Sequence, residues 1–86
     1  MPMIATPIPK NGGCPSGYHS DGAMCVPNGP ATKPAIAKIG SGCPSGWHSD
    51  GKFCVANTLN PKIVIPKAGG SCPSGYHPDG AYCVQN

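Results

Sequence analysis

Apolar positions along this chain come in short bursts, and Gly or Pro cuts every burst. No window keeps apolar residues at i, i+3 and i+4 long enough for a helix. Asn60-Pro61-Lys62-Ile63-Val64-Ile65-Pro66 reads as one short edge strand, because its prolines suit only an edge. The other apolar runs before the glycine clusters are predicted to be extended or polyproline-like.

The polar positions repeat. Cys14–Val26 reads CPSGYHSDGAMCV, Cys43–Val55 reads CPSGWHSDGKFCV and Cys72–Val84 reads CPSGYHPDGAYCV. The first cysteines are 29 residues apart each time, and nine of thirteen positions are identical in all three copies. A fixed period marks a repeat architecture. Each copy follows a lead-in of the same kind: Ile8-Pro9-Lys10, Ile36-Ala37-Lys38 and Ile65-Pro66-Lys67. The boundaries are an N-terminal arm (1–13), repeat 1 (14–26), a linker (27–42), repeat 2 (43–55), a linker (56–71) and repeat 3 (72–86).

Asp-Gly between residues of strand type signals a hairpin with a type I′ turn. With Asp21-Gly22 at the turn centre, His19 faces Met24, Tyr18 faces Cys25 and Gly17 faces Val26. Tyr18 and Cys25 then share one face, and His19, Met24 and Val26 share the other. Pro15 at the second position of a Cys-Pro-Ser-Gly turn brings Cys14 back beside Cys25. The expected disulfides are Cys14–Cys25, Cys43–Cys54 and Cys72–Cys83. Each closes a loop that stabilises by about 3 kcal/mol.

Composition limits what else can form. The chain has 86 residues, with 13 Gly and 12 Pro, one Leu, one Phe and one Trp. So little large apolar surface cannot offset the entropy of ordering one ordinary globule. The expected fold is small and mostly irregular or β. Three disulfide-bracketed hairpins are joined by extended Pro/Gly-rich segments, with no single hydrophobic core. The modules are expected to tumble nearly independently, with a radius of gyration well above the ~12 Å of a compact domain.

Charge is sparse and sorted. There is no Arg and no Glu; the acids are Asp21, Asp50 and Asp79, and five of six lysines lie between modules. A net charge of +3 suits an acidic protein partner and is thin for nucleic acid. No stretch approaches a membrane span. No secretory signal pattern is visible in residues 1–10, which points to the cytoplasm. Disulfides pull the other way, since they persist mainly in oxidising compartments.

Candidate chemistry repeats with the modules. Each copy offers Cys, His and Cys, three ligands where zinc prefers four at closer spacing. With His19 and Cys25 on opposite faces, no metal or other cofactor is expected. A Cys/His nucleophile pair would need a pocket that so little core cannot build, so no enzyme is expected. A ribosomally made peptide precursor and a Cys/His metal-binding repeat are the alternative classes. Exposed apolar faces on such small units point to contact surfaces. The expected partner-binding residues are Tyr18, His19 and Met24; Trp47, His48 and Phe53; Tyr76, His77 and Tyr82; and Lys10, Lys38 and Lys67.

The CPSG-[YW]-H-x-DG-x-x-CV modules resemble the Cys-Pro-Ser-Gly-aromatic repeats of small cyanobacterial proteins. The short, basic, repetitive character is similar to a small phycobilisome linker. That resemblance implies a structural linker in light harvesting and photosynthesis. It would bridge acidic phycobiliprotein subunits of the allophycocyanin core, in a thylakoid-associated complex.

Overall fold

The computed structural model describes residues 4–86. Among them the chain forms nine strands and no helix. They are β1 (Ile8–Pro9), β2 (Tyr18–Asp21), β3 (Met24–Pro27), β4 (Ala35–Ala37), β5 (Trp47–Asp50), β6 (Phe53–Ala56), β7 (Val64–Pro66), β8 (Tyr76–Asp79) and β9 (Tyr82–Gln85). They make three antiparallel sheets, ordered β1-β3-β2, β4-β6-β5 and β7-β9-β8. Disulfides Cys14–Cys25, Cys43–Cys54 and Cys72–Cys83 bracket the hairpins, with Cα separations of 5.6, 5.7 and 5.6 Å.

The lead-ins do more than connect. Each supplies the third strand of its sheet, so Ile8, Ile36 and Ile65 lie opposite Cys25, Cys54 and Cys83. Of the edge strand expected over Asn60–Pro66 only Val64–Pro66 forms, as β7, and β1 and β4 are its counterparts. A two-stranded hairpin is marginal in water, and a third strand is the usual remedy.

The turn chemistry differs from the sequence expectation by one residue. Asp21 pairs with Met24 and His19 with Val26, so Gly22-Ala23 is the turn centre. Gly22, Gly51 and Gly80 have φ of 62, 62 and 61°, and among the described residues no non-glycine has positive φ. That is a II′-like loop, with glycine at its first central position. It spares Asp21 a left-handed conformation. The shift moves each pair by two positions in register, so the faces survive: Tyr18, Ser20 and Cys25 share one, and His19, Asp21, Met24 and Val26 the other. The Cys-Pro-Ser-Gly turn is displaced too. Tyr18 N–H donates to Pro15 O (3.2 Å), making Pro15 the first position and Gly17 (φ 87°) the third. A positive φ there is what a type II turn requires.

The three sheets stack. One apolar cluster joins Tyr18 and Cys25 of sheet 1 to Ala35, Phe53 and Val55 of sheet 2. A second joins Trp47, Cys54 and Ala56 of sheet 2 to Val64, Tyr82 and Val84 of sheet 3. The register makes the rule plain. The Tyr/Cys face of each sheet packs on the opposite, Asp-bearing face of the next. Among the described residues there is no single core, but there are two shared ones. The expectation of independent, extended modules is therefore corrected: the radius of gyration is 12.5 Å, the compact-domain value.

Coverage by a neighbour sets burial. Phe53 and Tyr82 are 4% and 3% exposed, whereas Met24, at the same repeat position in sheet 1, is 38% exposed. Phe53→Ala should therefore lower stability by about 3 kcal/mol, the cost of a large core truncation. Met24→Ala should change it by less than about 1 kcal/mol. Urea unfolding with the disulfides intact measures both, and equal losses would mean that the sheets do not stack.

Candidate interaction surface

The aromatic side chains expected at a partner surface are mostly inside. Tyr18 and Trp47 are 8% exposed, and with Phe53 and Tyr82 they fill the two boundaries. Two of them carry hydrogen bonds across a boundary. Tyr18 Oη accepts from Ala35 N–H (3.0 Å). Tyr82 Oη accepts from Ile39 N–H (2.7 Å) and donates to Gly42 O (3.1 Å). Tyr76 is only half-buried and Met24 is exposed.

A second cross-boundary contact repeats. Ser16 N–H donates to Asp50 Oδ2 (2.8 Å), and Ser45 N–H donates to Asp79 Oδ2 (2.9 Å). The displaced turn explains the geometry: Asp is the last residue of its strand, and its carboxylate reaches the Cys-Pro-Ser-Gly turn of the preceding repeat. The Ser16 N–H holds the Asp50 carboxyl below the ordinary range. The Ser16 side chain and the charge of His48 add to this, against a smaller opposing effect of burial.

What remains outside is the histidine row. His19, His48 and His77 are exposed, and each Nδ1 lies 2.6 Å from an Asn Oδ1: Asn28, Asn57 and Asn86. Each Asn is fixed through its own N–H, which donates to Gly17, Gly46 or Gly75 O at 2.9, 2.9 and 2.8 Å. With the Asn oxygen as acceptor, Nδ1 carries a proton, which fixes the ring and leaves Nε2 for another partner. These asparagines escaped the sequence reading, which ended the repeated motif at Val26, Val55 and Val84 and gave Asn86 no role although repeat 3 ran to it. The signal was there, because Asn follows His by nine residues in all three copies.

The cross-strand partner of each His is Val26, Val55 or Val84, correcting Met24, Phe53 and Tyr82. Beside this row lie two register-equivalent clefts. The larger, about 550 Å³, is lined by Ser16, Asn28, Lys33, His48 and Val55. Its counterpart, about 220 Å³, is lined by Ser45, Asn57, Lys62 and Val84.

The lysines are placed by the third strands. Lys10, Lys38 and Lys67 N–H groups continue those strands by donating to Ala23, Lys52 and Ala81 O. Lys10 and Lys38 Nζ reach Ser20 and Ser49 Oγ at 2.8 and 2.7 Å. Repeat 3 has Pro78 at the Ser20 position, so Lys67 has no such hydroxyl. All six cysteine sulfurs are in disulfides, so none is a thiolate for metal or nucleophilic chemistry. Among the described residues no three His, Cys, Asp or Glu side chains are grouped as metal ligands. No helix there is long and apolar enough to cross a membrane.

Two pH effects follow. Asp50 favours its ionised form in the fold, so its contribution is present above the unfolded pKa and is lost as pH falls through the lowered one. Asp50→Asn should flatten the acid limb of thermal stability below about pH 4, and an unchanged limb would rule out the Ser16 contact. Tyr18 is shifted the other way: burial pushes its hydroxyl up, partly countered by the Ala35 N–H. Its neutral form is favoured, so stability is lost as pH rises beyond about 10. Tyr18→Phe should flatten that alkaline limb, measured by the same melts. No family model, curated protein or solved structure matches the chain.

Proposed function

We propose that this chain is a non-enzymatic assembly protein, a disulfide-stapled stack that holds three equivalent contact sites for subunits of a larger complex. The observation that carries the reading is the exposed His–Asn pair, present with the same 2.6 Å geometry in every repeat. Each pair sits on a short stapled sheet, so its orientation costs little to hold on binding. Three pairs on one body give avidity without a strong single contact.

The partner that fits is an acidic protein subunit. The net charge is +3, and lysines recur at Lys10, Lys38 and Lys67. Nε2 of each His is left for a partner group, while the lysines steer and complement an acidic surface. The resemblance to phycobilisome linkers makes allophycocyanin the first subunit to try. Its cytoplasmic, thylakoid-associated setting belongs to that same reading.

Capture of purified acidic subunits on the immobilised, disulfide-intact chain tests this, with composition read by mass spectrometry. Bound subunit should exceed one per chain. Replacing Asn28, Asn57 and Asn86 together with Ala should weaken capture by roughly tenfold or more, through lost avidity. Lys52→Ala should change it little, being one exposed charge. Indifference to the triple replacement would remove the His–Asn sites from the proposal. Failure with allophycocyanin but success with another acidic subunit would remove only the phycobilisome assignment.

A further inference from the structure

The contact that stacks the repeats is heterologous: the two surfaces that meet are different. Each boundary joins a socket on one repeat to a head on the next. The socket is the Tyr/Trp face with its Pro-Ser turn, and the head carries Asp, the Met/Phe/Tyr position and Val. Sheet 2 uses both, its head toward sheet 1 and its socket toward sheet 3. Sheet 1 uses only its socket and sheet 3 only its head.

The two unused halves are visibly uncovered among the described residues. On sheet 1, Asp21 and Met24 are exposed and Val26 is half-buried, where Phe53, Val55, Tyr82 and Val84 are buried. Among the described residues no backbone N–H donates to Asp21 as Ser16 and Ser45 do to Asp50 and Asp79. On sheet 3, Pro73 is exposed where Pro15 and Pro44 are buried, and Tyr76 is half-buried where Tyr18 and Trp47 are buried. Ser74 N–H is the counterpart of the donors at Ser16 and Ser45.

We propose that copies of this chain join head to tail: the Asp21–Met24–Val26 face of one docks on the Pro73–Ser74–Tyr76 face of another, through the same contact that joins repeats within the chain. Ser74 N–H then donates to the second copy's Asp21, and Met24 enters the place that Phe53 and Tyr82 take internally. A heterologous contact of this kind leaves a free head and a free socket on every oligomer, so assembly grows in a line unless its rotation closes a ring.

The joint is weaker than the internal boundaries for identifiable reasons. Met24 has no hydroxyl to bond Ala68 N–H and Ser71 O, the register counterparts of the Ile39 and Gly42 atoms held by Tyr82. Pro7, the register counterpart of Ala35, has no N–H for the Tyr76 hydroxyl. A small, partly polar joint forms and breaks with concentration.

Sedimentation of the pure, oxidised chain tests the proposal, up to roughly 1 mM. Species should grow beyond dimer with concentration. Met24→Lys and Tyr76→Lys should each be monomeric alone. Mixed, they should form a dimer and stop, since the first keeps a working socket and the second a working head. Met24→Tyr, a gain that misfolding cannot mimic, should shift association to roughly tenfold lower concentration by restoring the Tyr82-type hydrogen bonds. A wild-type chain that stays monomeric, a Met24→Tyr chain that associates no better, or a closed dimer that neither lysine breaks would each overturn head-to-tail docking. Only the pure chain is used, so these outcomes are independent of whether acidic subunits are captured.

Discussion

Each sheet of this protein is too small to bury either of its own faces, and everything else follows from that. Three strands of two to four residues offer two surfaces and no interior. The solution is to make the two surfaces fit each other across a repeat boundary. The Tyr or Trp face of one sheet covers the Phe or Tyr face of the next, and a core appears between units that have none within them. Repeat stacks of larger size follow the same nearest-neighbour logic. The disulfide lies within this scheme and not beside it. Cys25 and Cys54 are fully buried members of the clusters, so the staple also supplies apolar surface to the boundary.

How much of this was legible in the sequence depended on the range of the interaction. The disulfide pairs were readable from the fixed cysteine spacing and the chain reversal at Cys-Pro-Ser-Gly, and the division of Tyr18 from His19 between faces from alternation along a strand. The exact turn was not. Asp-Gly suits a I′ centre locally, yet Gly22-Ala23 is used, and the benefit is long-range: Asp50 and Asp79 are freed to reach Ser16 and Ser45. Stacking was hidden for the same reason. A count of large apolar residues rules out one globular core, but it does not show that each residue can serve at a boundary 29 positions away. The third strands were half-read: Val64–Pro66 declared itself by β-branched residues, while Ile8-Pro9 and Ala35–Ala37 are fixed only by the strand they pair with.

The differences between copies make sense as fit across particular boundaries. Repeat 1 has the shorter lead-in turn, and Asn11 N–H satisfies itself on Gly13 O (3.3 Å). The side chain packed nearby is Phe53, with no polar group to place. Repeat 2 has one residue more between Ile36 and Cys43 than repeat 1 has between Ile8 and Cys14. Its Ile39 N–H and Gly42 O are both taken by the Tyr82 hydroxyl. A buried donor or acceptor without a partner costs about 1–3 kcal/mol, so hydroxyl and turn length are matched. Phe53→Tyr would bring a hydroxyl to a turn that has no vacancy for it.

The positions that do not vary then stand out. Fold and boundary explain the repeated Cys, Pro, Gly, Asp and Val. They do not explain the His and Asn in the same way. Those side chains are exposed and belong to neither apolar cluster. A hydrogen bond between exposed groups contributes at most about 1 kcal/mol. Buried positions in this chain, by contrast, exchange Tyr for Trp and Phe for Tyr. An exposed, oriented imidazole kept unchanged while the interior is tuned from copy to copy is what the proposed contact site requires. This contrast ties the proposed contact surface to the His–Asn row and not to the aromatic residues, which the stacking itself consumes.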